Sequence, residues 1–136
     1  MTDSLLRHFH GPRPPIICLC GSTRFKAVFE QVASRETLAG KLVLTVNYFG
    51  NDDGQPAKAS LPHTSPQDKN RLNELHKRKI DLADEVLILN VGGYIGHTTQ
   101  AEINYATYTG KPVRFLEQPG QPVTTASHQY KDGDRP

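Results

Sequence analysis

The sequence predicts an α/β domain built on a doubly wound parallel sheet, and three observations carry that expectation. Short apolar runs alternate four times with stretches of helical period, no segment repeats, and 136 residues suffice for one core but not for two.

The elements follow in order. The run "PIICLC", Pro15 to Cys20, has prolines before it and Gly21-Ser22 after it, which marks a short, buried, central strand. From Thr23 the period changes: Phe25, Val28, Phe29 and Val32 fall on one helical face, and that helix ends near Gly40. "KLVLTVNYF" is the second strand. Gly50 to Pro66 carries Gly, Asn, Asp, Ser and Pro without period and reads as a long surface loop, of a length that often forms lids or binding loops. A second helix runs from about Gln67 to Ala83, with Leu72, Leu75, Leu82 and Ala83 defining its buried arc and Asp81 pointing away. "DEVLILNV" is the third strand, "NVGGYIGHTTQAE" turns the chain into a third helix from about Thr99 to Thr109 stopped by Gly110, and "KPVRFLE" is the fourth strand. The result is a flavodoxin- or Rossmann-like sheet of about four to five strands with helices on both faces. Residues 1–14 form an amino-terminal extension, 15–117 the domain, and 118–136, with almost nothing to bury, a flexible tail.

Composition excludes several function classes. The net charge of +2 is not gathered into a basic stripe and no aromatic-interleaved patch accompanies it, so a nucleic-acid polymer is not the expected partner. The longest apolar run, "VLILNV", is far short of the roughly 20 residues a membrane span needs, and "MTDSLLRHFHGPRPP" lacks the apolar core of a signal peptide. A soluble, cytoplasmic protein is expected. Cys18 and Cys20 lie on the same face of their strand, where they cannot easily bond to each other. With no second cysteine pair and with scattered histidines, they read as small buried hydrophobes, and neither a metal nor another cofactor is expected.

In open parallel sheets, ligands bind beyond the carboxyl ends of the strands where the strand order reverses. With an order of 2-1-3-4, "CGSTR" after strand one and "NVGGYIGHTTQAE" after strand three lie side by side, and the crevice between them is the expected site. Gly21, Ser22, Thr23 and Arg24 would offer a tight turn, two hydroxyls, helix N-terminal donors and a guanidinium, a set suited to phosphate. Alternatively, Ser22 or Thr23 caps the helix and Arg24 is solvated. Gly92, Gly93, Tyr94, Gly96, Thr98 and Thr99 would line the other side. Glu102 admits two readings. Thr99-x-x-Glu102 fits a capping box, yet at about 100° per residue Glu102 falls beside Ile103 and Ala106, the stripe that faces the sheet. A carboxylate there is partly desolvated, which is costly for capping alone. On helix two, His76 and Lys79 fall within the leucine arc, either as a satisfied histidine and a snorkelling lysine or as ligand contacts, with His76 able to transfer protons. Ala101, Tyr105 and Tyr108 form a separate stripe that suits a homodimer or higher homo-oligomer.

These residues carry a resemblance. "LADEVLILNVGGYIGHTTQAEINYATYTGKPVRFLE" resembles the carboxyl-terminal half of the nucleoside 2-deoxyribosyltransferase-like superfamily, with its Ala-Asp strand, Glu-Ile-x-Tyr-Ala helix and Gly-Lys-Pro segment. "CGSTR" is similar to the Gly-Ser-x-Arg phosphate loop of deoxynucleoside-monophosphate N-hydrolases, and the whole chain resembles small bacterial and phage proteins with Gly-Ser-Thr-Arg-Phe and Val-Gly-Gly-Tyr-Ile-Gly motifs. The resemblance implies Glu102 as nucleophile and Gly21, Ser22 and Arg24 as the phosphate loop. It also exposes two departures. His76 stands eight residues before Asp84, where the characterised enzymes commonly have aspartate, and Gly96 stands six before Glu102, where they have aspartate or serine.

The implied function is an N-glycosidase acting on a nucleoside or (deoxy)nucleoside 5′-monophosphate, with Glu102 attacking C1′, His76 as proton donor to the base, and hydrolysis favoured over base transfer. Three alternatives stand beside it: a non-catalytic nucleotide-binding or sensor module, a base-releasing phosphoribohydrolase, and a dimeric scaffold with a vestigial crevice.

Overall fold

The computed structural model describes residues 12–46 and 65–118. Most of the amino-terminal extension, the end of the expected second strand, the long loop up to residue 64 and the tail from residue 119 lie outside the described residues.

Four parallel strands form one sheet in the order β2-β1-β3-β4. They are β1 (Ile16–Cys20), β2 (Leu42–Leu44), β3 (Glu85–Ile88) and β4 (Val113–Phe115). Three helices cover it: α1 (Lys26–Leu38), α2 (Pro66–Leu82) and α3 (His97–Tyr108), with a 3₁₀ turn at Val91–Gly93. The α/β class is the one the sequence predicts, and the order is the 2-1-3-4 that sets the two candidate turns side by side. β1 and β3 pair through Ile17–Glu85 to Cys20–Ile88, so the turns after them emerge together at the point where the order reverses.

The pleat sorts the core into two layers. Ile17 and Leu19 of β1 and Leu87 of β3 point to one face, where they meet Phe29 and Val32 of α1. Cys18, Cys20, Val86 and Ile88 point to the other, against Ile80 of α2 and Ala106 of α3. Burying each large side chain contributes about 1.5–3 kcal/mol, enough to fix the register, since a one-residue slip would exchange the layers.

Local chemistry corrects several expected boundaries. α2 starts at Pro66, inside the expected loop, because Ser65 caps it in a capping box: Asp68 N–H donates to Ser65 Oγ and Ser65 N–H donates to Asp68 Oδ2, each at 3.1 Å. α1 starts at Lys26 rather than Thr23, because residues 22–25 close a turn first, with Phe25 N–H donating to Ser22 O at 3.1 Å. α3 starts at His97 with Gly96 as its N-cap and no side-chain cap bond, so Thr99 and Glu102 form no capping box.

Two faces also differ from expectation. The buried positions of α2 are His76 and Ile80, while Leu75 is 52% and Leu82 is 65% exposed. Asp81 does not point away from the fold: it accepts a 2.6 Å hydrogen bond from the Tyr105 hydroxyl of α3. Tyr105 is thereby engaged within the chain, which leaves Ala101 and Tyr108 as the outward members of the expected association stripe. No helix among the described residues is long and apolar enough to cross a membrane.

Candidate functional site

The turns after β1 and β3 and the adjoining faces of α2 and α3 enclose a cavity of about 710 Å³ at the carboxyl edge of the sheet. Gly21 opens the first turn. A Cβ there would stand 3.1 Å from Leu89 O and 3.2 Å from Leu89 Cβ, so the close approach of the two strand ends favours glycine. Ser22, Thr23 and Arg24 follow on the cavity wall, with Arg24 N–H donating to Ser22 Oγ at 3.3 Å.

Gly92 and Gly93, expected at the ligand, do not line the cavity. Their φ values of 64° and 82° reverse the chain at the 3₁₀ turn, and Gly92 N–H donates to Glu117 Oε2 at 2.9 Å. Asn90 adds a two-way link to Glu117, donating to its carbonyl at 2.8 Å and accepting from its N–H at 2.9 Å. These bonds anchor the turn to the end of β4 and carry Tyr94 over the crevice. The Arg24 guanidinium lies 4.7 Å from the centre of the Tyr94 ring, joining the two turns across the site, and Phe25 meets the same ring edge-on at 6.0 Å. Gly96 fits beneath: a Cβ there would come within 3.0 Å of the Tyr94 hydroxyl.

The floor is chemically dense. His76 from α2 and Glu102 from α3 are 5% and 6% exposed and both line the cavity. Beneath them are two thiols, Cys20 Sγ at 3.3 Å and Cys18 Sγ at 3.7 Å from His76 Nε2. Burial pushes the Glu102 carboxyl up, against the nearby His76. Burial alone would lower the His76 pKa, but its bond to Cys18 and the charge of Glu102 outweigh it and the net direction is up. The hydrogen bond from Cys20 holds the Cys18 thiol down to about 6, with His76 assisting, while Cys20, as the donor of that bond and deeply buried, is pushed up.

Among the expected site residues, Gly21, Ser22, Thr23, Arg24, His76, Lys79, Tyr94, Gly96, Thr98, Thr99 and Glu102 are brought together around this cavity. Lys79 has a structural tie as well, donating to Thr45 O at the end of β2. Sequence reasoning missed Lys69 and Arg78 on the lining and the apolar lip of Leu72, Leu75 and Leu82. It also treated the histidines as scattered. The structure brings His76 onto both cysteines, so the Cys-x-Cys pair is not the isolated pair of small hydrophobes the sequence suggests. The available signal was a same-face cysteine pair on the first strand and a histidine on the buried arc of the second helix. No family model matches the chain, and no curated protein matches its sequence.

Proposed function

We propose that the cavity binds a nucleoside or (deoxy)nucleoside 5′-monophosphate and that Glu102 attacks C1′ of its sugar, releasing the free base. The observation that carries this reading is the placement of Glu102. Among the described residues lining the cavity it is the one carboxylate, it is almost wholly buried, and the charge of His76 acts on it from α2.

Cleavage of an N-glycosidic bond passes through an oxocarbenium-like state, which a carboxylate beneath the ring stabilises or captures. As the bond from Glu102 to C1′ forms, the C1′–N bond breaks and its electron pair leaves with the base, which takes a proton from the His76 imidazolium. Water then attacks C1′, its proton returns to His76, and Glu102 is freed. A second base in place of water would make the reaction a transfer.

The lining supports an anionic ligand. Among the described residues, Arg24, Lys69, Arg78 and Lys79 face the cavity beside the single carboxylate of Glu102, and its volume falls within the roughly 300–1,000 Å³ of small-molecule sites. Ser22 and Arg24 would hold the 5′-phosphate and orient C1′ over Glu102, so that binding energy remote from the bond serves catalysis. The resemblance to the deoxyribosyltransferase-like superfamily supports the same assignment. Its departure at Gly96 has a physical counterpart, because a Cβ there would press on the Tyr94 hydroxyl at 3.0 Å.

A second reading has its own support. Burial drives the Glu102 carboxyl toward its neutral form, which suits hydrogen bonding to sugar hydroxyls in a binding module without turnover.

Chromatographic detection of free base from a panel of ribo- and deoxyribonucleoside monophosphates distinguishes the two. The enzyme reading expects release from at least one, reduced at least about 1,000-fold in Glu102→Gln with nucleotide binding retained. Arg24→Ala should weaken monophosphates more than the matching nucleosides. Binding of a nucleotide without release of its base would select the binding module.

A further inference from the structure

Beneath the cavity floor, Cys18 Sγ, Cys20 Sγ and a histidine nitrogen of His76 lie within 4.8 Å of one another, and all three residues are buried. The two cysteines come from one face of β1 and the histidine from α2, 56 and 58 residues away in the chain. Packing of the helix on the sheet, rather than any local motif, makes the cluster.

Its dimensions can be compared with a coordination polyhedron. Tetrahedral zinc has Zn–S near 2.3 Å and Zn–N near 2.0–2.1 Å, which places sulfur and nitrogen ligands about 3.6 Å apart along the edge of the tetrahedron. The two Sγ···Nε2 separations are 3.3 and 3.7 Å, on either side of that edge. The donors are thiolate and imidazole, the set favoured by zinc and similar borderline-soft ions and disfavoured by magnesium or calcium. Glu102 interacts with both Cys20 and His76 and faces the cavity, which makes its carboxylate the oxygen donor available for a fourth position.

We infer that Cys18, Cys20 and His76 form a binding site for one divalent ion of the zinc class, with the remaining position directed toward Glu102 and the cavity. As the two sulfur–metal bonds form, any proton still on either thiol passes to solvent, and no electron moves. His76 both touches the thiols and lines the cavity, so its ring governs access. The inference stands apart from base release, since it concerns metal affinity alone. An ion on His76 Nε2 keeps the ring from becoming the imidazolium that donates to the base, so the metal-loaded and base-releasing states would exclude each other.

The test uses the full reduced chain, stripped with chelator and titrated with cobalt(II) without oxygen. One equivalent should produce a thiolate-to-cobalt charge-transfer band with the intense visible bands of tetrahedral cobalt, and zinc should bleach both. A Cys18→Ser/Cys20→Ser variant with wild-type circular dichroism should lose the charge-transfer band and bind cobalt more than about 100-fold more weakly, beyond the 10–100-fold typical of outer-shell partners. Absence of the band in the wild type, or its survival in the variant, overturns the assignment. Should the variant not fold, X-ray absorption of the zinc-loaded wild type decides: two sulfurs near 2.3 Å support the site, and a shell of only nitrogen and oxygen rejects it.

Discussion

At the amino-terminal ends of the strands, Glu36, Lys41, Glu85 and Arg114 form a chain of ion pairs, with Lys41 Nζ 3.0 Å from Glu36 and 3.3 Å from Glu85. Nearby, Asp84 accepts from the Arg13 guanidinium and from Ile16 N–H. At the carboxyl-terminal ends of the same strands, Glu102, His76 and two cysteines are gathered in a buried floor whose carboxyl and imidazole are both pushed up from their ordinary values. The first edge satisfies its carboxylates, and the pKa values of Glu36, Asp84 and Glu85 fall accordingly. The second holds its groups away from water with their charges incompletely balanced. Such an arrangement adds little stability and much reactivity, which is where a functional site is expected.

Variants at each edge separate the two roles, and the largest effect on stability is expected at the amino edge. Lys41→Met at the amino edge removes a partner from the buried Glu36 carboxylate and should lower unfolding free energy by about 1–2 kcal/mol in urea titrations, with nucleotide binding unchanged. A loss of binding would mean that the two edges are coupled. Gly21→Ala at the carboxyl edge should be destabilising by about 1 kcal/mol, because the new methyl presses on Leu89, and should impair ligand binding by displacing the Ser22–Arg24 turn. Loss of stability without loss of binding would detach that turn from the site.

The smallest effect is conditional on pH. Asp84 has a folded-state pKa held below its unfolded value, first by the Arg13 guanidinium and next by Ile16 N–H. Its stabilisation is therefore present above about pH 4 and is lost as pH falls through the folded value. Asp84→Asn should lower the melting temperature slightly at pH 7, and the difference from wild type should shrink as pH is lowered below 4. A difference independent of pH would show that charge is not the cause.

Much of this architecture was legible in the sequence, because the change from an apolar run to helical period at Thr23 and the glycine turns at Gly21 and Gly92 mark strand ends without reference to distant residues. The phase of α2 was not. Leu75 and Leu82 have the spacing of core residues, but they border a cavity, and periodicity cannot separate an apolar cavity lip from a buried arc. The Thr99–Glu102 capping pattern was present in sequence but unused, since Gly96 caps α3 and leaves Glu102 turned to the floor. The approach of His76 to Cys18 and Cys20 was only half legible: a same-face cysteine pair and a histidine on a buried arc are local patterns, but their meeting depends on how α2 packs across β1, a tertiary fact.

On the proposed function, Glu102 is held at the cavity floor for chemistry and at some cost to stability. One variant tests it directly: Glu102→Gln, with melting temperature and base release measured on the same preparation. Base release lost while the melting temperature is unchanged or a few degrees higher is the predicted result, because a neutral amide of the same shape removes a buried charge. Base release intact with a clearly lowered melting temperature would contradict it and make Glu102 a structural residue.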